Sequence, residues 1–137
     1  MKIIVGLGNP GKEYENTRHN AGFTFIDFLV QKFALSLKFD KKFNVEYVKT
    51  EIIQNGVAED ICLIKPMAFM NNSGITLRAF LDYFYAEVLE ETESNHLIVA
   101  HDDLDLDLGQ FKLQKGKGPK VHNGLNSIYK HLGHKNF

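Results

Sequence analysis

The sequence has no tryptophan, three prolines and a single cysteine, Cys62 in the run DICLIKP. One thiol excludes an internal disulfide framework, which suits a reducing compartment, and a free cysteine ordinarily behaves as a small buried hydrophobe. Long apolar runs are missing as well. No stretch approaches the roughly 18 apolar residues of a membrane span. The opening MKIIVGLGNPG carries one lysine and an apolar run too short for a secretory signal. The expectation is a soluble, cytoplasmic protein with no membrane partner. Net charge is nearly absent, at −1, yet the average hides an asymmetry. Between Asp82 and Asp107 there are nine acidic residues and no lysine or arginine, whereas Leu108 to Phe137 holds six lysines and no acid.

What is present fits one domain over residues 1–137: 44% of the residues are hydrophobic, enough for a single core. Lys2 to Leu7 is short, apolar and followed by Gly-Asn-Pro-Gly, which predicts a buried strand ending in a tight turn. Phe23, Ile26, Phe28, Leu29, Val30 and Phe33 fall mostly on one helical face, so a helix is expected from Ala21 to about Leu35. Val45, Tyr47, Ile52 and Ile53 then suggest extended structure. Asn55-Gly56 is a pair favoured in type I′ turns, predicting an antiparallel hairpin with Asp60 to Lys65. Pro66 ends that strand. Asn71 to Gly74 opens a helix bearing Leu77, Phe80, Leu81 and Phe84. A strand is expected at His96 to Ala100, another at Gln110 to Leu113, a mobile loop at Gly116 to Val121 and a last helix at Gly124 to Leu132. The fold class is α/β, a single domain with a mixed β-sheet flanked by helices.

GLGNPG has the Gly-x-Gly-x-x-Gly spacing of a dinucleotide site, but the context is wrong. A helix should start at those glycines to face a pyrophosphate, whereas the charged, non-periodic KEYENTRHN follows, and Asp27 falls inside a helix instead of ending a second strand. No nucleotide cofactor is expected. The glycines do allow close backbone approach and an exposed Asn9 at the carboxyl end of the strand, where open α/β sheets place ligands. His19, among Arg18 and Asn20 in TRHNAGF, is the first candidate for a general base. Asp102, directly after the strand LIVAH, is the candidate to orient its imidazole. Asn71, alone an ordinary helix cap, gains meaning beside Asn9, His19, Asp102 and Asn123, since all fall at strand ends or helix starts that a sheet can gather around one cleft. No serine or cysteine lies in a nucleophile elbow, and His131 and His134 lack a third ligand, so no metal is expected. Histidine, aspartate and amides suit direct attack by water. Lys112, Lys115, Lys117 and Lys120 flank a glycine-containing loop suited to phosphate contacts.

The ordered set GLGNPG, TRHNAGF, KPMAFMNNSG, VAHDDLDLDLG and HNGLNSI resembles the bacterial peptidyl-tRNA hydrolase family from Met1 to Phe137. The resemblance implies a monomeric, metal-free esterase that cleaves the bond between peptide and tRNA. It matches His19 and Asp102 to the family's catalytic pair, and Asn9, Asn71 and Asn123 to its cleft asparagines. Tyr14, Phe69, Met70 and His122 match cleft-lining or neighbouring positions, and the lysine loop matches the region that meets tRNA phosphates. A catalytically weak or inactive tRNA-binding fragment of the same family is the alternative. Two departures stand out. Lys120-Val121 replaces the Gly-Gly usual before His-Asn-Gly, predicting a stiffer or reshaped loop. The family's C-terminal strand and helices have no counterpart after Phe137, so an incomplete domain with an exposed sheet edge, open to association, is expected.

Overall fold

The computed structural model describes residues 1–90 and 96–137. Five strands form one mixed sheet, β1 (Lys2–Gly6), β2 (Lys38–Asp40), β3 (Val45–Gln54), β4 (Val57–Pro66) and β5 (Leu97–Ala100), in the order β2-β3-β4-β1-β5. Helices α1 (Ala21–Lys32), α2 (Ser73–Phe84), α3 (Ala86–Glu90) and α4 (Asn123–Leu132) cover it. β1 runs parallel to both neighbours, with Ile3 opposite Cys62 on β4 and Leu97 on β5. The hairpin β3–β4 is antiparallel, from Gln54 opposite Val57 to Val45 opposite Pro66. Its turn has φ of 53° at Asn55 and 77° at Gly56, the two left-handed residues a type I′ turn requires.

Alternation along β1 divides the layers. Ile3 and Val5 point into a cluster with Leu77, Phe80 and Leu81 of α2 and Leu125 and Ile128 of α4. Gly6 points the other way, where an added Cβ would collide with the Gly22 carbonyl and the Ile26 side chain of α1. The missing Cβ at Gly6 and Gly22 therefore sets how closely α1 lies on the sheet. Among the described residues strand β5 pairs only with β1, and an apolar groove of about 750 Å³ runs along it, lined in part by Phe25, Val99, Phe111 and Phe137.

Several expectations need correction. Gln110 to Leu113 forms no strand: it pairs with no described strand, and Phe111 and Leu113 are exposed, because an extended segment without a ladder partner leaves its backbone groups to water. Helix α1 stops at Lys32, before Leu35, since Ala34 turns left-handed with φ 52°. On its packed face only Phe23 and Ile26 are buried along with Gly22, while Phe28 and Phe33 stay exposed. The short strand β2 and the helix α3 carry no distinct sequence signal. Residues 91–95, part of the acidic stretch, lie outside the described residues.

Candidate active site

The turn after β1 and the segment entering α1 meet at the carboxyl end of the sheet. Two 3₁₀ turns, Lys12–Tyr14 and Arg18–Asn20, carry the chain there, and the second presents His19 with 40% of its side chain exposed. Asp102 follows β5 directly. His19 Nδ1 lies 2.9 Å from each carboxylate oxygen of Asp102. A carboxylate only accepts, so Nδ1 donates, and the lone pair of the ring is left on Nε2.

A second imidazole meets the same carboxylate from below. His122, 5% exposed, is the N-cap of α4, where its Nδ1 accepts the Leu125 N–H at 3.2 Å. Its Nε2 must then carry the proton, which it donates to Asp102 Oδ1 at 2.9 Å. Burial alone would raise the Asp102 carboxyl; hydrogen bonds from His122 and His19, with the charges of those rings, outweigh it and hold the group at about 2. His101 packs against the His122 ring, centroids 5.1 Å apart, and its Nδ1–H donates to the Asp102 carbonyl. Burial lowers the pKa of His101, favouring its neutral form. The ligand atoms of His19, Asp102 and His122 lie within 4.8 Å of one another, close enough for one divalent ion. Ligation through His122 would break both bonds that fix its tautomer.

The amides are assembled by a separate chain of contacts. Asn9 Oδ1 accepts the Met70 N–H at 2.8 Å, which leaves its Nδ2 hydrogens available to donate. Met70, in the 3₁₀ turn Met70–Asn72, packs where a Cβ on Gly124 would sit. Asn71 and Asn123 thus stand on neighbouring segments, both exposed. Asn71 is not a helix cap: Asn72 holds the N-cap position of α2 and makes no side-chain capping bond. Tyr14 and Phe69 meet edge to face at 6.2 Å, forming an aromatic rim with Phe69 exposed.

Sequence reasoning missed three supports of this arrangement. Asn20, 3% exposed, braces the Asn9 backbone. Arg18 Nη2 donates to the Leu106 carbonyl at 3.1 Å, tying the acidic loop to the His19 turn. Lys65 and Asp27 pair at 2.8 Å between β4 and α1. Only Asn20 carried a usable signal, as a polar residue one position before a helix. Two of the four lysines share a groove with His101 and Asp102. Lys112 and Lys117 line the groove along β5, Lys117 and Lys120 a second concavity with Lys135, and Lys115 is exposed between them. Lys120 and Val121 take no positive φ, and the chain enters His122 in extended conformation, so the loop reaches the N-cap without the usual glycines.

A family model described as peptidyl-tRNA hydrolase matches residues 3–137. Peptidyl-tRNA hydrolase of Shouchella clausii is 44% identical over 138 residues, spanning 100% of this chain and 68% of its own length. That of Synechococcus elongatus is 42% identical over 135 residues, spanning 98% of this chain and 61% of its own. A crystal structure of the Acinetobacter baumannii enzyme superposes with a TM-score of 0.85 at 41% identity, covering 100% of this chain and 64% of that one. The chain therefore spans 61% to 68% of the length of these relatives. Among the described residues no helix is long and apolar enough to cross a membrane.

Proposed function

Because the chain belongs to the peptidyl-tRNA hydrolase family, we propose that it hydrolyses the ester joining a peptide to the terminal ribose of tRNA, with His19 as general base. The observation that carries this reading is the His19–Asp102 pair, in which Nδ1 is held at 2.9 Å from both carboxylate oxygens and Nε2 is left to act. Nε2 takes a proton from water as the water oxygen attacks the ester carbonyl. Asp102 holds the ring and stabilises the imidazolium that forms. The carbonyl oxygen gains negative charge, and the side-chain N–H groups of Asn9, Asn71 and Asn123 are the donors suited to it and to the peptide. Collapse of the tetrahedral species breaks the bond to the ribose oxygen, which receives the proton from His19.

Tyr14 and Phe69 supply apolar contact for the peptide, the buried Met70 orients Asn9 through its N–H, and Lys112, Lys115, Lys117 and Lys120 form the cationic side for tRNA phosphates. No cofactor or metal enters these steps. The reaction belongs with translation in the cytoplasm.

Single-turnover release of peptide from a peptidyl-tRNA, beside a folded His19→Ala variant, tests the reading. The variant should be slower by at least about 10²-fold. Less than a threefold loss would remove His19 from the chemistry, and no release by either folded chain would favour tRNA binding without catalysis.

A further inference from the structure

We propose that His122 is a positioning residue for the base: a neutral, buried imidazole that locks the Asp102 carboxylate in the rotation that serves His19. The proposal rests on His19 being the general base. An ionised carboxylate beside a histidine is free to turn about its last side-chain bond, and each turn redirects its lone pairs. Here one oxygen is tied from below by the His122 Nε2–H at 2.9 Å, and with that oxygen fixed, both stand equidistant from His19 Nδ1.

His122 itself has no freedom to turn. Its Nδ1 accepts the Leu125 N–H, so flipping the ring would set the Cδ2–H against that N–H and take Nε2 away from Asp102. Its sides are walled by the rings of His19 at 5.2 Å and His101 at 5.1 Å, and an added Cβ on Gly124 would come within 3.2 Å of its Cε1. With one nitrogen given to the helix and the other to Asp102, no ring atom remains to take or give a proton to substrate. His122 therefore acts through Asp102. It also links base geometry to the start of α4, which carries Asn123 as its first residue.

His122→Asn separates this role from helix capping, because asparagine is a good N-cap but is too short to bond Asp102. His122→Gln has the length to return an N–H to the carboxylate. The expected result for His122→Asn is a melting temperature within a few degrees of the parent, KM within about twofold and single-turnover rate down by at least about tenfold, with partial rescue in His122→Gln. In parallel, ¹⁵N spectra of the histidine rings should show His19 as its Nδ1–H tautomer in the parent and as a mixture in His122→Asn. A folded His122→Asn with the parent rate and an unchanged His19 tautomer would overturn the proposal. If the variant does not fold, the parent decides: His122 must be fixed as its Nε2–H tautomer, and a ring protonated on Nδ1 overturns the proposal. The ring spectra do not depend on turnover. If His19→Ala stays active while they show the expected coupling, the base assignment falls and the lock on Asp102 stands.

Discussion

Asn20 closes a two-bond ring with the backbone of Asn9: its Oδ1 accepts the Asn9 N–H at 2.7 Å and its Nδ2 donates to the Asn9 carbonyl at 2.9 Å. Both ends of one buried amide are thereby used, and neither aspartate nor a hydroxyl offers that donor and acceptor pair at the same reach. The ring fixes the glycine turn against the His19 turn, and with Asn9 so held, its own side chain meets the Met70 N–H. One asparagine that presents no group to the cleft thus orders another that does.

Asn20→Ala should destabilise the domain by about 1–2 kcal/mol, the cost of leaving partly buried backbone groups without partners, and should lower turnover as well. Urea unfolding and single-turnover assays at a temperature where the variant is folded measure the two effects. Normal stability would mean the Asn9 backbone finds water or another partner.

Asp102 contributes to stability in a defined pH window. Its folded carboxyl is held at about 2 against a reference of 3.8, so below neutrality the unfolded chain binds the proton more readily. The stabilisation, at most roughly 2 kcal/mol, is fully present above about pH 4 and is lost as the pH falls toward 2. In Asp102→Asn that component is gone, so the stability gap between parent and variant should narrow on acidification. Unfolding curves at several pH values measure the gap, and one that widens in acid would contradict the hydrogen-bond account. At neutral pH the same variant should turn over at least about 10²-fold more slowly, since an amide also permits the wrong His19 tautomer.

The parts of the fold that a local signal fixes were legible in the sequence. β1 with its glycine turn, the Asn55-Gly56 hairpin and the period of α2 each follow from a few adjacent residues. Their places at a loop and a strand end singled out His19 and Asp102, and the family resemblance matched them to a catalytic pair, yet their contact joins residues 83 apart, and no local pattern reports such a distance. The segment Gln110 to Leu113 shows the reverse failure: its apolar content suits a strand, but strand formation is decided by a partner, and none is paired with it among the described residues. α1 misled for a related reason. Its aromatic residues wrap beyond one face, and only the stripe at Phe23 and Ile26 meets the sheet, so Phe28 is left in solvent.

Gly74 is where α2 and α4 cross. Its N–H donates to Ser127 Oγ at 2.9 Å in a buried contact, and an added Cβ would overlap the Ser127 carbonyl. Helix propensity favours alanine over glycine by about 1 kcal/mol, so the two effects oppose each other. Backbone cannot yield as a flexible side chain does, and overlap should win: Gly74→Ala is expected to cost about 2 kcal/mol or more net. Chemical denaturation decides the sign, and a stabilised variant would show that the helices separate cheaply. Because α4 carries His122 and Asn123, turnover should fall along with stability.

Lys117 and Lys120 border a concavity shared with Asn126, Tyr129 and Lys135, and the acid-free stretch around them leaves their charge uncompensated in sequence. If they meet phosphates, each bound lysine releases condensed counterions, and the logarithm of KM should rise with the logarithm of salt concentration. Lys117→Gln with Lys120→Gln should then raise KM at low salt and flatten that slope by about 0.7–0.9 per lysine. The rate at saturating substrate should hold, since neither lysine has a contact with His19 or Asp102. Steady-state kinetics across a salt series distinguish the outcomes. An unchanged slope would move the tRNA contact elsewhere, and a fall in the saturated rate with constant KM would mean that the loop acts on His122 instead of on RNA.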